Sequence, residues 1–258
     1  MPVGGCMKVK AIYFSPTGTT KEVVTTIAKS LSNEIKFVDA TLEKHRKSIP
    51  SIEEDLLIVG VPVYSGRIPH IMDSYLKSLI GNDTPCVVIS VYGNREYDDA
   101  LLELKDIMIE RGFKPIAAGA FIGTHSYTTE VAVNRPDKKD LEICRIFAND
   151  ILTSMDKKGK LLVKGQYPYK IRKAGTPFAP KIDERCLSCG ICAINCPSGA
   201  LTYNGKLKIN ESLCIKCNAC VRKCPIGSIG FGDQLDPFIE WLKENCSERK
   251  EPEYFLVT

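Results

Sequence analysis

Apolar positions in the first 155 residues follow two different periods. Short continuous apolar runs, typical of strands buried in a parallel sheet, alternate with stretches in which apolar residues recur every three or four positions, as on one face of a helix. The predicted strands are residues 8–14, 35–38, 56–60, 86–91 and 116–122, and the predicted helices are 19–31, 69–80, 98–111 and 140–155. This alternation indicates an α/β fold with a doubly wound, parallel five-stranded sheet.

Eight of the twelve cysteines form two copies of one spacing in the last third of the chain. The second copy follows the first by 28 residues at every position, and each copy ends in a proline. The copies are Cys186, Cys189, Cys192 and Cys196 before Pro197, and Cys214, Cys217, Cys220 and Cys224 before Pro225. A pair of structural zinc sites is the alternative, but zinc takes four ligands and does not need a third cysteine two residues further on.

The spacing C-x2-C-x2-C-x3-C-P resembles that of bacterial two-cluster ferredoxins, which are small α+β domains. That resemblance implies two [4Fe-4S] clusters with crossed ligands. One cluster would be held by Cys186, Cys189, Cys192 and Cys224, and the other by Cys214, Cys217, Cys220 and Cys196. The remaining cysteines, Cys6, Cys86, Cys144 and Cys246, have no ligand spacing and are expected to be ordinary thiols.

The loop after the first predicted strand is rich in hydroxyl groups and leads directly into a helix. Ligands of doubly wound folds bind at the carboxyl ends of the strands. Hydroxyls, a glycine and a helix N-terminus together favour phosphate binding, whereas a simple helix cap is the alternative. The candidate phosphate ligands are Ser15, Thr17, Gly18, Thr19 and Thr20. No G-x4-G-K-S/T or G-x-G-x-x-G motif accompanies this loop, so neither a Walker site nor a dinucleotide site is indicated.

Two further loops place aromatic residues and glycines at the same predicted sheet edge. With the S-x-T-G-T-T loop, they make residues 8–155 resemble flavodoxin, which implies noncovalently bound FMN. The isoalloxazine ring would lie between the loops after the third and fourth strands. Their candidate residues are Pro62, Val63, Tyr64, Ser65, Gly66 and Arg67 in the first loop, and Tyr92, Gly93, Asn94, Arg95, Tyr97 and Asp98 in the second.

Some residues near this expected flavin site depart from the usual acidic surroundings of a flavodoxin. Arg67 and Arg95 would place cations near the ring and raise its potential, unless both are solvated loop residues. Tyr64 and Tyr97 have packing as their alternative role. After the fifth strand, His125 and Tyr127 are the candidates for covering the flavin or donating a proton, and a surface position is the alternative for His125.

The length of the chain and its distribution of motifs and charge predict its domains and limit the classes of function that it can have. The expected parts are a flavodoxin-like domain at 1–156, a basic linker at 157–180, a ferredoxin domain at 181–232 and a C-terminal helix and tail at 233–258. The formal charge of +4 falls to near zero once clusters are bound, which gives nucleic-acid binding little support. Without a signal sequence or a long apolar run, we expect a cytoplasmic location and no membrane insertion.

The linker carries seven basic residues and no acidic one, together with Tyr167, Tyr169 and Phe178. Those rings favour a segment that packs across the first domain. A solvated tether and a docking face for an acidic redox partner are the alternatives.

The whole chain resembles the flavodoxin–ferredoxin fusion proteins of anaerobes. The resemblance implies electron transfer between FMN, two [4Fe-4S] clusters and low-potential redox proteins, whose identity stays open. The alternatives are a flavin-dependent reductase of a small organic acceptor and a redox-sensing binding module. The oligomeric state is open, and a homodimer is compatible with the sequence.

Overall fold

The computed structural model describes residues 7–172 and 178–258. Cys6 and Lys173, which the sequence interpretation included, lie outside the described residues. The chain forms two domains, and a C-terminal helix and strand return from the second domain to the first.

The first domain is a three-layer sandwich around a parallel sheet. Each predicted strand is present, and α1 begins and ends where its apolar spacing predicts. The elements are β1 (Lys8–Tyr13), α1 (Thr19–Leu31), β2 (Glu34–Asp39), α2 (Glu43–Arg46), β3 (Leu56–Pro62), α3 (Asp73–Lys77), β4 (Pro85–Tyr92), α4 (Ala100–Glu110), β5 (Lys114–Ile122) and α5 (Lys138–Leu152).

The helix predicted over residues 69–80 is shorter in the structure. A 3₁₀ turn at His70–Met72 precedes α3, and the helix ends at Lys77. The chain leaves helical geometry because the amide of Gly81 binds the carbonyl of Arg111 at 2.8 Å, which draws this segment toward the end of α4.

Sheet order explains why the site lies where it does. The strands are ordered β2-β1-β3-β4-β5, so the chain direction across the sheet reverses between β1 and β3. One buried apolar layer packs α1 and α5 against the sheet, and the other packs α3 and α4 against the opposite face. A doubly wound sheet of this order opens its crevice at the carboxyl ends of β1 and β3.

A sixth strand that the sequence pattern did not predict closes one edge of the sheet. It follows a C-terminal helix, and its residues pair antiparallel with β5, with Tyr254 opposite Gly119. The C-terminal tail is therefore part of the first domain's sheet and not a free extension.

The second domain is built from very short elements around the repeated cysteines. Two strands at its ends pair with each other, and a hairpin lies between the two cysteine copies. Its elements are β6 (Lys181–Ile182), α6 (Ile191–Ile194), β7 (Leu201–Tyr203), β8 (Leu207–Ile209), α7 (Ala219–Lys223) and β9 (Ile229–Gly230), followed by α8 (Asp236–Asn245) and β10 (Glu253–Leu256). Its apolar cluster is centred on buried Leu201, Cys220 and Ile229, so the core of this domain is small.

Candidate functional site

The hydroxyl-rich loop lies between the end of β1 and the start of α1. The Ser15 amide donates to the Thr41 hydroxyl at 2.9 Å, and the Ser15 hydroxyl accepts from the Lys21 amide at 2.9 Å. Both bonds fix the loop. Among the described residues, the hydroxyls of Thr17 and Thr19 have no hydrogen-bond partner. The first amides of α1 have no intrahelical acceptor either, so the loop offers free donors to an anion.

Gly18 and Thr20 shape this loop in different ways. Gly18 caps α1 with a φ of 99°, a conformation that favours glycine, and nothing would lie within 4 Å of a Cβ added there. Thr20 is buried against β3. The loop after β5 lies against the start of the same helix, because a Cβ at Gly123 would come 2.8 Å from the Cβ of Thr19.

A cleft of about 230 Å³ opens at the carboxyl edge of the sheet, and its lining includes no residue of the loop 15–20. We call it the aromatic cleft. The first domain lines it with loops after β3, β4 and β5, which are the three loops that the sequence predicted at this edge. The lining residues from these loops are Val63, Tyr64, Ser65, Gly66, Tyr92, Gly93, Arg95, Glu96, His125, Ser126 and Tyr127.

Five of the predicted flavin-contacting residues, Pro62, Arg67, Asn94, Tyr97 and Asp98, do not line the aromatic cleft. Asp98 instead pairs with Arg95 and Lys170.

Arg67 points toward helix α4 instead of the cleft. Its guanidinium makes two hydrogen bonds of 2.7 Å to the Glu103 carboxylate, and it stacks on the ring of Tyr169 at 4.7 Å. Because Glu103 neutralises this cation, the expected effect of Arg67 on a flavin potential lacks its geometric basis. Arg95 does line the cleft, but its charge is paired with Asp98.

Asn94 and Tyr97 hold the C-terminal tail. The Asn94 side chain donates to the carbonyls of Cys246 and Glu248 at 2.6 and 2.7 Å. The Tyr97 hydroxyl donates to Glu253 at 2.9 Å, and its ring is buried beside Tyr92. Tyr97 therefore has the packing role that was its alternative in the sequence analysis.

Three residues from outside these three loops also line the aromatic cleft. Phe238 comes from α8, and Ile215 and Lys216 come from the turn between Cys214 and Cys217. The Phe238 ring contacts those of His125 and Tyr127 edge-on, at 6.5 and 6.0 Å. The amphipathic pattern of α8 predicted the helix, but nothing in that pattern identifies the surface it covers.

His125 and Tyr127 lie in the cleft in partly buried positions. Burial, with smaller contributions from Arg222 and Arg95, lowers the pKa of His125 to about 4, so its ring is neutral at pH 7. Its Nδ1 accepts a hydrogen bond of 3.2 Å from the Tyr127 amide. Burial, with nearby Cys217 and Cys214, raises the pKa of Tyr127 to about 12, which keeps its hydroxyl protonated.

The eight repeated cysteines surround two separate cavities. We name them by their position relative to the aromatic cleft. The far cavity is lined by Cys186, Cys189, Cys192 and Cys224, and the near cavity is lined by Cys196, Cys214, Cys217 and Cys220. These are the two crossed sets that the ferredoxin resemblance implied. Both cavities have almost entirely apolar walls, which suits a cluster held by thiolates.

No group of three or more His, Cys, Asp or Glu side chains within residues 7–172 and 178–258 is arranged around a single metal ion. Each set of four cysteines instead lines a cavity.

The near cavity adjoins the aromatic cleft. Ile215 and Lys216 line both, and Ile215 also packs against the apolar core of the first domain. The far cavity is lined only by residues of the second domain. Its rim includes exposed Cys189 and Leu187, which is 68% exposed.

Residues 157–172 run along the first domain. The hydroxyls of Tyr167 and Tyr169 both bind the Asp106 carboxylate, and Arg172 pairs with Asp73 and Glu103. The contacts of these rings and of Arg172 fit a packed segment better than a solvated tether. In the part of the chain that the structure describes, no helix is both long and apolar enough to span a membrane.

Comparisons with known proteins match the two domains separately. A flavodoxin domain model matches residues 11–127, and a 4Fe-4S dicluster domain model matches residues 185–228. No curated protein matches the chain. The chain is therefore a fusion of a flavodoxin domain with a 4Fe-4S dicluster domain. These domains imply FMN, iron–sulfur clusters, an electron-transfer role and redox partners.

Solved flavodoxins are similar to the first domain at low identity. Oxidised flavodoxin 1 from Bacillus cereus is 19% identical, with a TM-score of 0.43 over 57% of this chain and 97% of that chain. A flavodoxin from the domain Archaea is 17% identical, with a TM-score of 0.43 over 58% and 100%. The Streptococcus pneumoniae TIGR4 flavodoxin is 17% identical, with a TM-score of 0.41 over 56% and 97%.

Proposed function

We propose that this flavodoxin–ferredoxin fusion relays electrons between FMN in the aromatic cleft, two [4Fe-4S] clusters in the far and near cavities, and low-potential redox proteins. FMN supplies exchange of electrons in pairs or singly, whereas each cluster carries one electron at a time. The observation that carries the proposal is the turn at Ile215 and Lys216, which lines both the near cavity and the aromatic cleft.

The FMN assignment rests on the fit between the chain's own groups and the two ends of that cofactor. The phosphate would bind Ser15, Thr17, Gly18, Thr19 and Thr20, since this loop offers free hydroxyls and helix amides. The ring would lie among the aromatic walls of the cleft, against Tyr64, Tyr92, Tyr127 and Phe238. Arg67 and Tyr97 hold neighbouring segments in place.

The cluster ligands follow from the composition of the two cavities. The far cavity would bind its cluster through Cys186, Cys189, Cys192 and Cys224, and the near cavity through Cys196, Cys214, Cys217 and Cys220. External redox proteins would exchange electrons at the far cavity because Cys189 and Leu187 are exposed there, while Cys217 and Cys220 are buried. The described cysteines are all free, in keeping with the reducing cytoplasm that we propose.

The proposal is tested by anaerobic reconstitution with iron, sulfide and FMN, followed by cofactor analysis and a redox titration. We expect about eight irons and one FMN per chain. Four irons in the wild-type chain, or no bound flavin, would contradict it.

Variants test the crossed ligand sets. Cys196→Ala should remove the near cluster and Cys224→Ala the far one, each seen as loss of one component of the reduced clusters' paramagnetic resonance spectrum. The control is Cys246→Ala, because Cys246 lines neither cavity. Loss of the same component in both ligand variants would contradict the crossed sets.

A second candidate function is reduction of a small organic acceptor at the flavin. It is favoured by the positions of His125 and Tyr127, whose rings meet at 5.4 Å in the cleft. Because His125 is neutral at pH 7, the Tyr127 hydroxyl is the better hydrogen-bond donor to an acceptor. Turnover of a quinone that is lost in Tyr127→Phe, with FMN content unchanged, would support this function. Unchanged turnover would exclude Tyr127 as the donor.

A further inference from the structure

The two domains are joined at the site by two arginines, one from each domain. Arg222 lies in α7, between Cys220 of the near cavity and Cys224 of the far cavity. Arg46 lies at the end of α2 and contacts the second domain at Pro197.

Arg222 binds three backbone carbonyls of the loop after β5. Its guanidinium donates to the carbonyl oxygens of His125 at 2.7 Å, Thr128 at 3.1 Å and Ser126 at 3.3 Å. This loop carries His125 and Tyr127 into the aromatic cleft. The contacts therefore connect the helix that contains Cys220 and ends before Cys224 with one wall of the cleft.

Arg46 makes the complementary connection from the first domain. It donates to the carbonyls of Ala40 and Thr41 at 2.9 and 2.7 Å within its own domain, and to the carbonyl of Pro197 at 2.7 Å across the boundary. Pro197 follows Cys196 and lines the near cavity. Since two of its three bonds are local, Arg46 is held ready to bind the second domain.

Neither arginine is paired with a carboxylate in the part of the chain that the structure describes. A planar guanidinium can bind several carbonyls at once in a fixed geometry, which a lysine ammonium cannot reproduce. Arg222 therefore uses its donors across the domain boundary, and Arg46 divides its donors between its own domain and that boundary. The turn at Ile215 and Lys216 enters the aromatic cleft at the same boundary.

We propose that Arg46 and Arg222 are positioning residues that lock the second domain over the aromatic cleft and so keep the near cavity beside the flavin site. The contact itself is independent of cofactors, but its consequence for electron transfer rests on the proposed function. We call the hydrogen bonds that each arginine makes across the domain boundary a clamp. Loss of both clamps would let the turn at Ile215 and Lys216 leave the cleft, although the residues of the phosphate loop and of the two cysteine sets are unchanged.

The test compares wild type, Arg46→Gln, Arg222→Gln and the double variant, with Arg145→Gln as the matched control. Arg145 is exposed on α5 and pairs with Glu142, away from the site. Hydrogen exchange is measured at the amides of residues 125–128 and 213–217. We expect exchange in the double variant to be about tenfold faster or more, because bonds to a charged donor are lost at both clamps. Exchange as slow as in the control would overturn the proposal.

A second readout follows electrons in the fully loaded protein. Iron and FMN contents should match wild type, whereas reduction of the flavin by electrons supplied to the clusters should slow by about tenfold or more, since misplacement of reacting groups is costly. An unchanged rate would overturn the proposed role in electron transfer. If wild type binds no FMN, the proposed function fails while hydrogen exchange still decides whether the clamp exists.

A conservative variant covers the case in which the double variant loses its clusters or fails to fold. Arg222→Lys retains the charge but not the three-way geometry. We expect it to accelerate exchange at residues 125–128 while iron content is kept. Slow exchange in this variant would show that charge alone holds the loop, and would overturn the assignment of a guanidinium clamp.

Discussion

Replacing Glu103 by glutamine is expected to destabilise the first domain strongly. The Glu103 carboxylate, only 4% exposed, accepts two bonds of 2.7 Å from Arg67, one of 2.8 Å from Arg172 and one of 3.0 Å from the Ile68 amide. The Arg67 side chain is itself 13% exposed. Breaking a buried ion pair by removing one partner's charge costs about 3–5 kcal/mol because the other charge is left uncompensated.

Thermal unfolding followed by circular dichroism measures this effect. A cost of that size should lower the midpoint by about 6–20 °C in a protein of this length. Glu110→Gln is the control, because Glu110 is exposed at the end of the same helix and its carboxylate makes no ion pair among the described residues. Equal midpoints for the two variants would refute the conclusion that Glu103 holds Arg67 and Arg172 in place.

Three further predictions concern the aromatic cleft and its phosphate loop. Thr17→Val combined with Thr19→Val should weaken FMN binding measured by fluorescence titration and leave riboflavin binding unchanged, because only FMN carries a phosphate; equal losses for both ligands would count against the loop. Phe238→Ala should weaken FMN binding by about 1–2 kcal/mol, or roughly five- to thirtyfold, through loss of an aromatic wall. The control Tyr97→Phe should bind FMN normally. Weaker FMN binding by Tyr97→Phe than by Phe238→Ala would contradict the assignment of Phe238 to the flavin site. Burial lowers the pKa of His125 to about 4, below its ordinary value of 6.5. The unfolded chain therefore binds this proton first, and stability should fall between pH 6.5 and 4 by up to about 3 kcal/mol relative to His125→Gln; parallel stability–pH curves would refute this.

Local patterns predicted the scaffold well because their physical causes are local. Helix α1 runs over the predicted residues, since Val23, Val24, Ile27 and Leu31 recur on one face and are buried against the sheet. The five parallel strands are likewise confirmed, and β3 and β4 show the continuous buried apolar runs that are typical of a sheet covered on both faces.

The edge strand β10 could not be predicted in this way. Its four residues are all partly exposed and follow a polar segment, so neither apolar period distinguishes them from a tail. The strand is specified by its pairing with β5, more than 100 residues earlier in the chain. The bond from Tyr97 to Glu253 adds to this long-range contact.

The direction in which a loop side chain points could not be predicted from the sequence either. The pattern placed Arg67 and Arg95 at the correct edge of the sheet, but only the fold shows which residues they pair with. Arg67 turns away from the cleft because Glu103 and the carbonyl of Lys170, distant in sequence, both accept its hydrogen bonds. Phe238 enters the cleft for a comparable reason, since its helix connects the second domain to the edge strand.

The most direct test of the central claim is rapid mixing of the fully loaded protein with a one-electron reductant, with cluster and flavin absorbance followed together. The comparison is with Cys217→Ala, which removes a predicted ligand of the near cluster. The relay predicts that cluster bleaching precedes flavin reduction in wild type and that flavin reduction is much slower in the variant. Flavin reduction at the same rate without the near cluster would contradict the relay.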